Sequence, residues 1–117
     1  MCAYTGGFGV GAASRGASVV CVEQQEPLLE LLRENAVLNG VADRVERVAA
    51  DAFYWLEAKA TQGERFDWVL LDPPSLAKSK ADLLKGRQAL HHLLVNALAL
   101  LTEHGTLVLS LCTYHLL

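Results

Sequence analysis

The chain has 117 residues, of which 52% are hydrophobic, so it can bury a core and is not a disordered tail. Its net charge is −3, which argues against a free-standing nucleic-acid binder of the usual basic kind, so any nucleic acid would have to be held by a local patch. No apolar stretch approaches the roughly 18 residues of a membrane helix, and the N-terminus lacks the basic region of a signal peptide.

Short apolar strands alternate with helical patterns along the chain, which is typical of βαβ units and predicts a parallel sheet. A glycine-rich loop at residues 5–11 leads into a short helix at 11–15. Strands are then predicted at 19–22, 45–49, 68–71 and 106–110, separated by helices at about 27–38, 53–60 and 81–101. Because no internal repeat or linker interrupts this pattern, residues 1–117 are expected to form a single domain or part of one.

Both ends of the chain suggest part of a larger domain. A glycine-rich cofactor loop normally follows a strand, yet only four residues precede this one. The last predicted strand is likewise followed by no helix. We therefore expect a truncated domain that is marginally stable on its own, because a missing central strand leaves backbone groups unpaired.

The glycine-rich loop and two acids after strands are candidates for binding a nucleotide-like cofactor. Gly6 and Gly7 allow a ligand to approach the backbone closely, although a tight strand–helix turn would also use them. Glu23 ends the first predicted strand, at about the offset where an acid accepts hydrogen bonds from ribose hydroxyls. Asp51, followed by Ala52, ends the next strand and could accept the amine of an adenine.

Asp72 follows the predicted buried strand 68–71, and Pro73 and Pro74 come directly after it. Each proline restricts the residue before it to extended geometry, so the carboxylate sits on a stiff loop at the sheet edge where open α/β folds bind ligands. Such a loop suits the binding of a flat polar group such as a nucleobase. An ordinary strand-ending turn is the alternative.

Cys112 lies at the end of the last predicted strand, at the same edge of the sheet, which makes it a candidate nucleophile. The alternative is an inert buried thiol, the role expected of Cys2 and Cys21. The spacing of the three cysteines fits neither a disulfide framework nor a zinc site, and we expect a reducing, cytoplasmic location.

A basic cluster follows the Asp-Pro-Pro segment, with only Asp82 opposing it: Lys78, Lys80, Lys85 and Arg87. It is either a solvated surface or a local patch for the phosphates of a polynucleotide. The four histidines show no metal-ligand spacing, and no metal is expected.

Six blocks occur in an order that resembles class I S-adenosylmethionine-dependent methyltransferases, most closely the bacterial 23S rRNA cytosine-C5 methyltransferases with an N-terminal PUA domain. They are Tyr4-Thr-Gly-Gly-Phe8, Glu23, Glu34-Asn-Ala-x-x-Asn-Gly40, Asp51-Ala-Phe53, Asp72-Pro-Pro-Ser-x-Ala-Lys-Ser79 and Ser110-x-Cys-Thr-Tyr-His115. The resemblance implies a Rossmann-like three-layer α/β sandwich with a mostly parallel sheet, of which this chain would be a part truncated at both ends.

The resemblance also implies roles for individual residues. Tyr4, Thr5 and Gly6 would contact the methionine part of S-adenosylmethionine, Glu23 its ribose, and Asp51 with Ala52 its adenine. Gly7 and Asp72 are further expected cofactor-binding residues. The Cys112 thiolate would add to C6 of a cytosine, making C5 nucleophilic toward the methyl group, and would leave once a base removes the C5 proton. Asp72 would hold the cytosine edge beside Pro73 and Pro74, and Lys78 and Lys80 would contact RNA, expected to be 23S rRNA.

Three alternatives remain at this point. Amino-methylating enzymes use a similar Asp-Pro-Pro motif to hold an exocyclic amine and need no cysteine. A non-catalytic cofactor-binding module would fit the truncation. A nicotinamide dehydrogenase is disfavoured by the imperfect glycine pattern and the Asp-Pro-Pro segment.

Overall fold

The structure, a computed structural model, describes residue 3, residues 6–73 and residues 79–111. In these parts of the chain helices and strands alternate, as the sequence predicts. Their bounds are α1 (Gly7–Ser14), β1 (Val19–Glu23), α2 (Glu26–Leu38), β2 (Val45–Ala49), α3 (Ala52–Thr61), β3 (Phe66–Leu71), α4 (Leu83–Ala99) and β4 (Leu101–Leu109).

The chain divides into two compact units, Met1–Ala52 and Phe53–Leu117. In the first unit β1 pairs in parallel with β2, from Val19 opposite Val45 to Glu23 opposite Ala49. In the second unit β3 pairs in parallel with β4. In each pair a helix joins the two parallel strands, which is the connection of a parallel α/β fold. The α/β fold class predicted from the sequence is therefore confirmed.

The core of the first unit lies between the two helices that flank β1. Val10 and Ala13 of α1 pack with Ala36 of α2 and with Val41, and Val19 and Val45 of the two strands pack against this cluster. Pro27 lies in the first turn of α2, where its missing N–H costs no helical hydrogen bond. The helix ends at Asn39 and Gly40, where Gly40 adopts a φ of 69°.

Helix α1 begins earlier than the sequence suggests. The prediction of a loop through residue 11 is wrong, since the helix starts at Gly7 and contains Gly9 and Gly11. Gly6 precedes it with a φ of 87°, and its carbonyl accepts the Val10 N–H at 2.7 Å. A short helix rich in glycine has poor intrinsic propensity, so packing against β1 is what stabilises it.

The second unit buries one face of its strand β3. Val69 and Leu71 are buried, whereas Trp68 is 62% exposed. The expectation of a strand buried on both faces is therefore wrong, because the alternation of exposure is that of a half-covered strand. Helix α4 contributes Leu93 and Ala97 to the buried set, and Leu100 follows them.

Strand β4 begins at Leu101, five residues before the predicted start. The Phe66 N–H donates to the Leu100 carbonyl at 2.6 Å, which fixes the end of α4 against the start of β3. The register then shifts, since Phe66 faces Leu101 but Trp68 faces Thr106. The extra β4 residues form an irregularity that contains Gly105.

Gly9 is required by the packing of α1 on β1. A Cβ at this position would lie 2.5 Å from the Sγ of Cys21, a buried thiol whose pKa is raised by that burial. Ordinary carbon–sulfur contacts are much longer, so either the helix or the thiol would have to move. The sequence interpretation of Cys21 as a packing residue agrees with its position.

We expect Gly9→Ala to lower the free energy of unfolding by about 1–3 kcal/mol, the usual cost of overpacking. The matched control is Gly11→Ala in the same helix, where an added Cβ meets no atom within 4 Å in the part of the chain that the structure describes. That control should raise stability by up to about 1 kcal/mol through helix propensity. The measurement is urea unfolding followed by circular dichroism. The Gly9→Ala loss should be partly recovered in combination with Cys21→Ala, and strict additivity of the two changes would contradict the contact.

Candidate functional site

Glu23 is a buried carboxylate at the carboxyl end of β1. It is 7% exposed, which is unusual for an acid. Its Oε2 accepts a hydrogen bond from the Gln25 backbone N–H at 3.0 Å. Gln25 is the extended residue that precedes α2, so the start of that helix orients the carboxylate.

Three backbone hydrogen bonds bring other chain segments to the same end of β1. The Ala3 N–H donates to the Val22 carbonyl at 3.0 Å, and the Gly6 N–H donates to the Ala3 carbonyl at 2.9 Å. On the other side, the Ala50 N–H donates to the Glu23 carbonyl at 3.2 Å. The start of α1 and the residues that follow β2 therefore lie next to Glu23, at the sheet edge where parallel α/β folds bind ligands.

Gly6 and Gly7 differ in what surrounds them. At Gly6 the backbone has a φ of 87°, and a Cβ would lie 2.6 Å from the Leu32 side chain. At Gly7, the first residue of α1, a Cβ would meet no atom of the described residues within 4 Å. Gly6 is thus required by the fold, whereas the Gly7 backbone is exposed and no described residue lies against it.

Asp51 and Ala52 lie between β2 and α3. Asp51 is half-buried, and Ala52, the first residue of α3, is 8% exposed. Because Ala50 is held to Glu23, the two acids follow neighbouring strands at the same edge of this unit. This edge can offer two carboxylates and helix-terminal N–H groups to the polar parts of a nucleotide-like molecule.

In the second unit, Asp72 directly follows β3 and is half-buried, and Pro73 is buried. The Ser110 N–H donates to the Leu71 carbonyl at 2.9 Å, so the chain leaving β4 runs beside the residue that precedes Asp72. Lys80 is exposed in the short 3₁₀ turn Lys80–Asp82. The carboxyl end of β3, next to the end of β4, therefore presents an acid that is followed by a buried proline.

Several residues singled out in the sequence lie outside the described residues: Tyr4, Thr5, Pro74, Lys78 and Cys112. From the sequence we predict that Glu23, Asp51, Asp72 and Cys112 open onto one cleft beside Gly6 and Gly7, and this stays a prediction. Among the residues that the structure describes, no cluster of His, Cys, Asp and Glu could hold a metal ion, and no helix is long and apolar enough to cross a membrane.

The sequence did not point to Gln25 or Leu32 as parts of this site. Gln25 acts through its backbone N–H, which every residue except proline carries, so no side-chain pattern could have revealed it. Leu32 belongs to the apolar stripe of α2, and its fully buried side chain lies under Gly6. Only the helical spacing of that stripe offered a signal.

Residues 1–109 match the sequence profile of a family described as Conserved hypothetical protein 95. The chain belongs to this family. Its fold is the α/β Rossmann-like methyltransferase fold, which agrees with the fold class that the resemblance implied.

Two similar proteins carry informative names. A ribosomal RNA large subunit methyltransferase I of Aeromonas salmonicida is 38% identical over 112 residues, which is 94% of this chain and 28% of that protein. A crystal structure of a SAM-dependent methyltransferase from Agrobacterium tumefaciens matches 93% of this chain and 36% of its own, with a TM-score of 0.81 and 25% identity. The chain thus spans between a quarter and a third of the length of such curated relatives.

We expect Gly6→Ala to destabilise the first unit, because an L-residue in the left-handed region costs about 1–2 kcal/mol and the new Cβ must also displace Leu32. Gly7→Ala is the control, since its Cβ has room and favours the helix. The midpoint of thermal unfolding, followed by circular dichroism at 222 nm, compares the two variants. Equal midpoints would show that Gly6 is not conformationally required.

Proposed function

We propose that this chain is the cofactor-binding part of an S-adenosylmethionine-dependent methyltransferase that acts on large subunit ribosomal RNA. The observation that carries the proposal is the buried Glu23 carboxylate at the carboxyl end of β1, beside the left-handed turn at Gly6. Burying an acid is costly unless it has polar partners, and the Gln25 backbone N–H is one that holds this carboxylate at the edge where parallel α/β folds bind ligands.

The described residues fit this cofactor. Glu23 would accept hydrogen bonds from the ribose hydroxyls, and Asp51 with Ala52 would lie at the adenine. Gly6, together with Tyr4 and Thr5, would contact the methionine part, and no described residue fills the space beside Gly7. S-adenosylmethionine would supply an activated methyl group at this edge.

The RNA substrate is supported by the names of the relatives. Ribosomal RNA large subunit methyltransferases match nearly the whole chain at 34–38% identity, and a SAM-dependent methyltransferase shares its fold. Their names identify the class of substrate and not the position methylated. On the sequence resemblance we propose cytosine in 23S rRNA, with C5 as the methylated atom.

The second unit would hold the base. Asp72 would accept a hydrogen bond from the cytosine edge, while Pro73 and Pro74 keep its loop extended. Cys112 lies two residues past Ser110, whose N–H is bonded to the residue before Asp72. From there its thiolate would add to C6 and form a carbon–sulfur bond, which breaks again when a base takes the C5 proton. Lys78 and Lys80 would contact the RNA.

Glu23→Gln should weaken the binding of S-adenosylhomocysteine about 10- to 100-fold, because hydrogen bonds to a charged group contribute about 1.5–3 kcal/mol. Glutamine keeps an oxygen for the Gln25 N–H, so the fold should survive. Glu26→Gln, an exposed acid in the first turn of α2, is the matched control. Isothermal titration calorimetry measures both variants, and equal affinities would contradict the role of Glu23.

Cys112→Ala should abolish methyl transfer to cytosine C5 while leaving S-adenosylhomocysteine binding unchanged. The measurement is the transfer of a tritiated methyl group from S-adenosylmethionine to unmodified ribosomal RNA, followed by mass spectrometry of the nucleosides. Cys21→Ala is the control, since that thiol packs against Gly9. Transfer that persists without Cys112 would reject the covalent route and favour amino-group methylation by the Asp-Pro-Pro motif.

A further inference from the structure

Some basic residues of this protein are paired with acids in the described part of the chain, and others are not. In the first unit Arg33 contacts Glu30 at 2.6 Å, and in the second Lys59 contacts Glu64 at 3.2 Å. Lys80, Lys85 and Arg87 are all exposed, and within the described part of the chain no ion pair joins them to an acid. Their charge is therefore available to a partner.

These residues lie at the end of the unit where Asp72 is found. Helix α4 follows β3 through the Asp72 loop, and it runs back so that the Leu100 carbonyl meets the Phe66 N–H at the opposite end of the strand. Lys85 and Arg87 are the third and fifth residues of this helix, and Lys80 is in the turn before it. All three are thus toward the carboxyl ends of β3 and β4.

The charges of Lys85 and Arg87 lie on opposite sides of α4. Gly86 is buried and lets the backbone of α4 pack closely, and the flanking positions 85 and 87 are about 200° apart around the helix axis. Both side chains are exposed, so the first two turns of α4 present a cation on each flank.

Helix stability does not account for this charge pattern. The N-terminal end of a helix favours acids and disfavours cations, yet α4 has no acid in its seventeen residues and has Lys85 in its first turn. The nearest acid, Asp82, accepts a hydrogen bond from the Ser79 hydroxyl at 3.2 Å and makes no side-chain cap of α4. In a chain with thirteen acids against ten bases, this is a local reversal of charge.

We propose that Lys85 and Arg87 bind the phosphates of the RNA strand that flank the target base, one on each side of the first two turns of α4. The inference rests on the proposed function and extends it from the base to its neighbours. Such contacts position the strand without reading its sequence, since phosphates are alike at every nucleotide. The target base then enters at Asp72 from a backbone already held by the helix.

The test is the salt dependence of binding of a single-stranded RNA oligonucleotide to the full chain, followed by fluorescence anisotropy between 50 and 300 mM KCl. For single strands the slope of log K against log salt falls by about 0.7 for each phosphate contact. We expect Lys85→Gln and Arg87→Gln each to reduce the slope by about that amount, and the double variant by about twice as much. Arg65→Gln, an exposed cation at the amino end of β3 in the same unit, is the matched control and should leave the slope unchanged.

Slopes for Lys85→Gln and Arg87→Gln equal to those of the unaltered chain, or a loss as large in Arg65→Gln, would overturn the proposal. Absence of salt-dependent RNA binding in the unaltered chain would overturn it as well. Calorimetry with S-adenosylhomocysteine on the same samples separates the two hypotheses. If the variants bind S-adenosylhomocysteine normally and show the same salt slope as the unaltered chain, only the phosphate contacts are rejected. If the unaltered chain does not bind S-adenosylhomocysteine, the proposed function is rejected.

Discussion

The left-handed backbone at Gly6 is the constraint on which the first unit depends. It turns the chain from the Ala3 contact with β1 directly into α1, and no side chain fits above Leu32 at that point. Once the turn is set, Gly9 can lie on Cys21 and Val10 and Ala13 can join the core. The same turn leaves the start of α1 beside Glu23, so one backbone conformation serves both packing and the candidate site.

The two glycines of the turn illustrate a division of roles. At Gly6 the positive φ and the nearby Leu32 side chain exclude any other residue, whereas no described residue excludes a side chain at Gly7. A glycine that the fold does not need is informative, because a residue with a side chain would be a better choice at the start of a helix. Under the proposed function, this is where the cofactor approaches the backbone closely.

Much of the fold could be predicted because its signals are local. Two of these signals depend only on neighbouring residues: the apolar run 19–22 that ends at Glu23, and the end of a helix at Asn39-Gly40. Both agree with the structure. The start of α1 could not be predicted, since glycines disfavour helices and it is the packing of Val10 and Ala13 in the core, with Gly9 close to Cys21, that overrides this preference. The exposure of Trp68 likewise depends on what covers a strand, which an apolar run does not reveal.

The candidate site was predictable as a set of residue types and less so as an arrangement. An acid at the end of each of the first three strands is visible in the sequence, and the pairing of β1 with β2 then places Glu23 and Asp51 at one edge. The hydrogen bonds that hold this edge, from Ala50 to Glu23 and from Gln25 to its carboxylate, involve backbone groups that carry no sequence signature. The roles of Asp72 and Cys112 remain predictions for the same reason, since they depend on how distant segments meet.

The positions of the aromatic residues determine how the two units can be observed. Both tryptophans, Trp55 and Trp68, belong to the second unit, and they differ in their surroundings. Trp55 lies 6.1 Å from Phe66 between ring centroids, with the Lys59 ammonium 5.8 Å from its ring, whereas Trp68 is mostly exposed. Tryptophan emission therefore reports the second unit alone, with Trp55 as the more sensitive of the two residues. A spectroscopic transition seen by circular dichroism but not by emission would belong to the unit that contains Glu23.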